Sequence, residues 1–118
     1  MPELNPAQFT DIYHGTTTRN AKEIKESGLN PSEWNPSVMT VAFDPKTAED
    51  YAHDAADYYR GKPAIVHMRV PTNEWHDKYM GDHEDHGWGV AAGLREQVPG
   101  EYVHEITPLK KRPGSYYH

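Results

Sequence analysis

Asp11-Ile12-Tyr13-His14-Gly15-Thr16-Thr17-Thr18 is the stretch on which the fold turns. Ile12, Tyr13 and His14 form a short run of strand-forming residues. Gly15 ends it, and the threonines that follow carry hydroxyls suited to capping the start of a helix. A strand that passes straight into a helix is the first sign of an α+β chain. Ala21, Ile24 and the stem of Lys25 then share one helical face. Asn20 and Glu23 have capping-box spacing, and Gly28 stands where a left-handed residue would close the helix.

Working outward, Asn30 to Ser37 reads as a loop and Val38 to Phe43 as a second strand. Asp44-Pro45 follows as N-cap and first helical residue. Ala48, Tyr51, Ala52, Ala55 and Tyr58 or Tyr59 recur at three- and four-residue spacing up to Gly61, which predicts the second main helix. Ala64 to Val70 is a third strand bounded by Pro71. From Thr72 to Gly93 periodicity is lost, and a polar loop of about 20 residues is more often functional than idle. Leu94 to Val98 and Glu101 to Ile106 read as closing strands, broken by Pro99-Gly100. The expected fold is α+β, a single domain of small mixed β-sheets with two main helices. Residues 1–10 read as an N-terminal extension, 11–109 as the domain, and 110–118 as a basic, then aromatic, tail.

Composition narrows the functions open to such a domain. The chain has 118 residues, 12 Lys+Arg against 18 Asp+Glu, 8 His, 8 Tyr and no Cys. One domain of roughly 100 to 200 residues is the limit. Without cysteine there is no disulfide framework, no Cys-ligated metal and no thiol nucleophile. A net charge of -6 argues against a general nucleic-acid or anionic-membrane coat, both of which rely on Lys and Arg facing phosphate. Met1 to Thr10 has neither the basic nor the apolar part of a signal peptide, and no apolar run reaches the roughly 20 residues that span a bilayer. The expected setting is the cytoplasm, of the producing or a host cell.

Three constellations could carry chemistry. Tyr13-His14-Gly15-Thr16 would project a histidine at a strand end, beside a glycine that lets a ligand approach the backbone; a packed or solvated histidine is the alternative. Tyr51, Tyr58 and Tyr59, with Val41-Ala42-Phe43 before them, could stack on a flat heterocycle or simply fill the core. The third is the loop with His76, Asp82, His83, Glu84, Asp85 and His86. Its N and O donors suit a divalent ion, although their spacing matches no strong metal motif and fits a solvated loop equally.

The order of these pieces, from Ile12-Tyr13-His14-Gly15-Thr16 through Gly28-Leu29-Asn30-Pro31 and Val41-Ala42-Phe43-Asp44 to Ala48 and Tyr51-Ala52, resembles the small NAD-dependent ADP-ribosyltransferases. The likeness is to the diphtheria-toxin-like, His–Tyr–acidic branch, and especially to rifampin ADP-ribosyltransferases and small phage-borne relatives. It covers roughly residues 11 to 107. It implies NAD as co-substrate, with His14 on the adenosine ribose, Gly15 and Thr16 offering backbone contacts, and Tyr51 as the second of two rings that sandwich nicotinamide. The first ring's position falls at about Ala42, where the family has tyrosine, with Phe43 adjacent. A carboxylate would stabilise the oxocarbenium ion or orient the acceptor. Val70-Pro71-Thr72-Asn73-Glu74-Trp75-His76-Asp77 resembles the rifampin-type loop, so Asp77 stands first and Glu74 second. Glu96 and Glu101 are the late-strand alternatives.

The expected function is therefore a mono-ADP-ribosyltransferase that breaks the nicotinamide–ribose bond of NAD and transfers ADP-ribose to a protein, nucleic acid or small molecule, without resident metal. One alternative is a degenerate member of the fold that binds a nucleotide or protein. The other is a metal-binding or structural module built on His76, His83 and His86. Trp75 and Trp88 mark Thr72 to Gly93 as the segment facing an acceptor.

Overall fold

The computed structural model describes residues 8–31, 41–85 and 90–110. The opening stretch forms β1 (Phe9–Thr17), nine residues that end at the start of α1 (Thr18–Ser27). The α1 cap is Thr17, whose Oγ1 accepts the Asn20 N–H at 3.2 Å, rather than Asn20 itself. Gly28 closes the helix with φ 89° and ψ 168°, and its N–H donates to the Ile24 carbonyl. The φ is positive as expected, but the backbone leaves in an extended direction.

Of the expected Val38 to Phe43 strand, Val41–Ala42 forms β2 and Phe43 already lies in the bend that follows; residues 38–40, like most of the preceding loop, lie outside the described residues. The second helix, α2 (Pro45–Tyr59), begins as Asp44-Pro45 predicts. Asp44 accepts the Thr47 N–H at 2.7 Å through Oδ1 and the Thr47 hydroxyl at 2.8 Å through Oδ2. These bonds, the backbone one foremost, hold its carboxyl below the usual aspartate range. β3 (Pro63–Pro71) follows.

The segment read as a loop is largely regular. Thr72–Glu74 forms the single helical turn α3, and Trp75–Tyr79 a π-helical turn in which the Met80 N–H reaches back to the Trp75 carbonyl. β4 (Met80–Asp85) then pairs with β5 (Val90–Leu94), Met80 opposite Leu94 and His83 opposite Ala92. The expectation of a structureless loop is thus corrected. Polar and small residues hid this antiparallel strand pair. β5 stops at Leu94, so the expected Leu94 to Val98 strand is corrected too; Val98 makes only a bridge with Leu29. A 3-10 turn (Gly100–Tyr102) leads into β6 (Val103–Pro108).

The strands form one six-stranded sheet in the order β4-β5-β2-β1-β3-β6, with every described pairing antiparallel. The mixed sheets expected from sequence are therefore corrected to a single antiparallel one. Alternation of strand and helix along a chain ordinarily goes with parallel neighbours. β2 and β3, joined by α2, do run parallel, but β1 lies between them and pairs antiparallel with both. α2 must consequently cross over β1.

The two helices cover opposite faces. Ile12, Val66, Met68 and Val70 join Ala21 and Ile24 of α1, together with Trp75, Tyr79, Leu94 and Val98, in the main core. On the other face Ala42 and Ile65 pack with Ala48 and Ala52 of α2. The small residues of that second cluster set α2 close to the sheet. Among the described residues no helix is long and apolar enough to cross a membrane.

Candidate functional site

The end of β1 carries three of the expected site residues, and strand alternation decides where each faces. His14, Gly15 and Thr16 lie opposite Val66, Ile65 and Ala64 of β3. Val66 and Ala64 belong to the main core and Ile65 to the α2 cluster. Directly opposed residues share a face, so His14 and Thr16, both buried, face the α1 side and Gly15 faces α2. A Cβ on Gly15 would overlap the Ala48 carbonyl oxygen and the Ala52 nitrogen and would stand 2.9 Å from the Tyr51 carbonyl carbon. The backbone of α2 rests directly on this glycine.

The aromatic positions separate in the same way. Ala42 is fully buried opposite Tyr13 and clusters with Ala48, Ala52 and Ile65. Phe43 turns to the main core, its ring edge-on to Trp75 at 6.0 Å and 82°. Tyr51 is half-buried on α2, across the sheet from Phe43. Gly15 and Tyr51 therefore meet through their backbones, whereas His14 and Phe43 share the opposite face.

The carboxylates lie beyond the far end of β3. Trp75 and Tyr79 are buried, while His76, Asp77 and Lys78 between them are exposed. Residues four apart lie on one side of a helical turn, so Trp75 and Tyr79 both face inward. Glu74 is half-buried and accepts the Tyr102 hydroxyl at 2.5 Å through Oε2, with Lys78 Nζ 3.7 Å from Oε1. This bond, with burial behind it, pushes the Tyr102 hydroxyl up to about 12. Arg95 donates from its guanidinium to the His76 carbonyl at 2.9 Å and from its backbone N–H to the Tyr79 carbonyl at 3.0 Å. Glu96 and Glu101 are exposed. Asp77 is thus not brought beside His14 or Tyr51; it stands on a braced turn that roofs the main core. Thr72 and Asn73 of that region, with Gln8, Phe9 and Pro71, line a shallow recess.

A polar cluster that sequence reasoning missed occupies the α2-side face of β1 and β3. Asp11 Oδ1 lies 2.8 Å from His67 Nε2 and 3.2 Å from Arg69 Nε. The Tyr13 ring stacks on His67 at 4.5 Å, and His104 meets His67 edge-on at 5.1 Å. Burial, then the charges of Asp11 and Asp44, raise the Tyr13 hydroxyl. The alternation Ile65, His67, Arg69 was the available signal, but it acquires meaning only once the register sets Asp11 opposite Arg69. Arg95 and Tyr102 offered no such signal, because their partners are 19 and 28 residues away.

Among the described residues no three His, Asp or Glu side chains converge to hold a metal ion. The His83 side chain, and His86 and Trp88 altogether, lie outside them. No protein-family model matches the sequence, and no curated protein matches it.

Proposed function

We propose that the chain is a mono-ADP-ribosyltransferase that takes NAD as co-substrate and passes ADP-ribose to an acceptor whose class stays open among protein, nucleic acid and small molecule. One observation carries the reading. The two stretches whose spacing bears the resemblance, His14-Gly15-Thr16 and Ala48 to Ala52, are distant in sequence and meet at Gly15, where α2 crosses β1 in backbone contact. The resemblance assigns His14 to a ribose, Tyr51 to nicotinamide and Asp77 to the negative charge that favours positive charge growing on the ribose as nicotinamide leaves; His14 faces the α1 side of the sheet, Tyr51 stands on α2 and Asp77 is exposed beyond β3, so each assignment is tested on its own variant. The chemistry asks for little else. Held nicotinamide is a competent leaving group, and positioning with one carboxylate accounts for most of the barrier lowering.

The test is nicotinamide release from NAD by the full chain. Wild type is expected to release it, and His14→Ala, Tyr51→Ala and Asp77→Ala to lower kcat/KM by about 100-fold or more, the order of loss for removing one electrostatic contact at a reacting centre. No release, together with no NAD-dependent rise in melting temperature, overturns the proposal. A second reading, a nucleotide-binding module without turnover, is favoured by the alanine at position 42, which carries no ring and is sealed beneath α2. NAD-dependent stabilisation without nicotinamide release selects that reading instead.

A further inference from the structure

Lysine and arginine are the minority charge in this chain, 12 against 18 Asp and Glu, but folding gathers five of them at one end of the sheet, where β1 finishes and β3 begins. The Thr18 N–H donates to the Lys62 carbonyl and the Leu109 N–H to the Pro63 carbonyl, each at 2.9 Å. A Cβ on Gly61 would stand 3.0 Å from the Thr17 methyl. These contacts bring together the start of α1 with Arg19, the connection from α2 to β3 with Arg60 and Lys62, and the end of β6 with Lys110. Lys22 follows Arg19 on the same flank of α1. All five are exposed. Tyr58 and Tyr59, at the end of α2, stand beside them 79% and 60% exposed, their rings edge-on at 4.8 Å and 84°. Two residues of this end oppose their own local structure. Arg60 caps α2 with φ 55° and ψ 43°, a left-handed position that suits glycine. Arg19 puts positive charge in the first turn of α1, where no acidic residue offsets it and the helix dipole disfavours it. Departures from local preference that share one surface point to function.

We infer that this end of the molecule binds single-stranded nucleic acid, the cations against its phosphates and Tyr58 and Tyr59 against its bases. Cations that track a backbone beside rings that stack on unpaired bases hold such strands without sequence preference. A duplex would leave the rings nothing to stack on. An anionic membrane would call for apolar side chains that enter the acyl boundary, and among the described residues the exposed large apolar side chains are these two tyrosines. The net charge of -6 does not forbid the binding. Screening acts within about 8 Å at physiological salt, and β3, nine residues long, sets this end about 30 Å from the far one. The carboxylates that adjoin it in sequence are Asp57, half-buried in the last turn of α2, and Glu23 beside Lys22. Binding here is independent of the transferase reading and needs no NAD.

The experiment is fluorescence anisotropy of labelled oligothymidylate and oligouridylate with the full chain across a salt series, every variant first shown folded by circular dichroism. Wild type is expected to bind with a Kd of about 1 to 100 μM near physiological salt. The slope of log affinity against log salt should be about -3, as roughly four neutralised phosphates give on a single strand. Arg19→Ala and Lys62→Ala should each make that slope shallower by about 0.7. Tyr58→Ala and Tyr59→Ala should weaken binding about 5-fold or more with the slope unchanged. Lys78→Ala, beyond the far end of β3, should do neither. Absence of oligonucleotide binding at low salt overturns the inference, as does binding that the Arg19 and Lys62 variants leave unchanged. Equal affinity for a duplex of the same length, untouched by the tyrosine variants, shows charge attraction alone and overturns it too. Binding to phosphatidylglycerol vesicles but not to oligonucleotides assigns the surface to a membrane instead. All of this is read without NAD, so a wild type that releases no nicotinamide overturns the transferase reading and leaves this one standing.

Discussion

A methyl group added at Gly15 would meet backbone atoms of Ala48 and Ala52, not the yielding end of a flexible side chain. Relief would require α2 to lift from β1 and open the cluster of Ala42, Ala48, Ala52 and Ile65. Overpacking usually costs 1–3 kcal/mol, and backbone on the receiving side puts Gly15→Ala at about 3 kcal/mol or more. Urea unfolding of the variant checks this, and a cost below about 1 kcal/mol would mean that α2 does not rest on the glycine. The sequence shows a glycine at the end of a strand and invites the idea of a ligand approaching its backbone. What approaches is the protein's own helix. That difference was not legible locally, because it depends on β1 lying between two strands that α2 connects.

At the scale of elements, α2 was legible because its signals are local: an aspartate cap, a proline in the first turn and small or aromatic residues at helical spacing. Asp44→Ala removes the acceptor of both Thr47 bonds and is expected to cost about 1 to 2 kcal/mol at neutral pH. The folded carboxyl titrates below its ordinary 3.8. Its contribution is therefore complete above that value and is lost as the pH falls through the lower folded one. Wild type and Asp44→Ala should converge in stability on acidification, and a gap that persists at the lowest pH would contradict the assignment. β4 and β5 had no comparable signal. Gly81, Asp82, Glu84 and Asp85 have low strand propensity, and Ala91, Ala92 and Gly93 are too small to mark a face. Their pairing is fixed by register with β2, a long-range fact. Asp77 was legible as a carboxylate in a polar run, whereas the π-helical turn that lifts it and the Arg95 and Tyr102 braces come from residues that meet only after folding.

For the whole molecule, the Tyr102 bond to Glu74 ties the edge of the sheet, where β6 begins, to the turn that follows β3, across 28 residues of sequence. Its alkaline behaviour measures that tie. An ordinary tyrosine titrates at 10.0, and the hydrogen bond to Glu74 pushes Tyr102 to about 12. The unfolded chain therefore loses this proton first. The stabilising contribution is complete below about pH 10, declines between about 10 and 12, and is gone above that window. Two pH units correspond to nearly 3 kcal/mol, and partial exposure of the pair to solvent reduces this to about 1 to 2 kcal/mol. Tyr13 and Tyr79 are also raised, chiefly by burial, so the alkaline limb of wild type alone would mix Tyr102 with other groups. The informative quantity is the difference between wild type and Tyr102→Phe in urea unfolding at pH 9 and at pH 11.5. Tyr102→Phe should be the less stable at pH 9, and the gap should narrow by about 1 to 2 kcal/mol at the higher pH. A gap that stays constant would show that the hydroxyl is not held by Glu74 in solution, and the brace on the Asp77 turn would lose its anchor at the sheet edge.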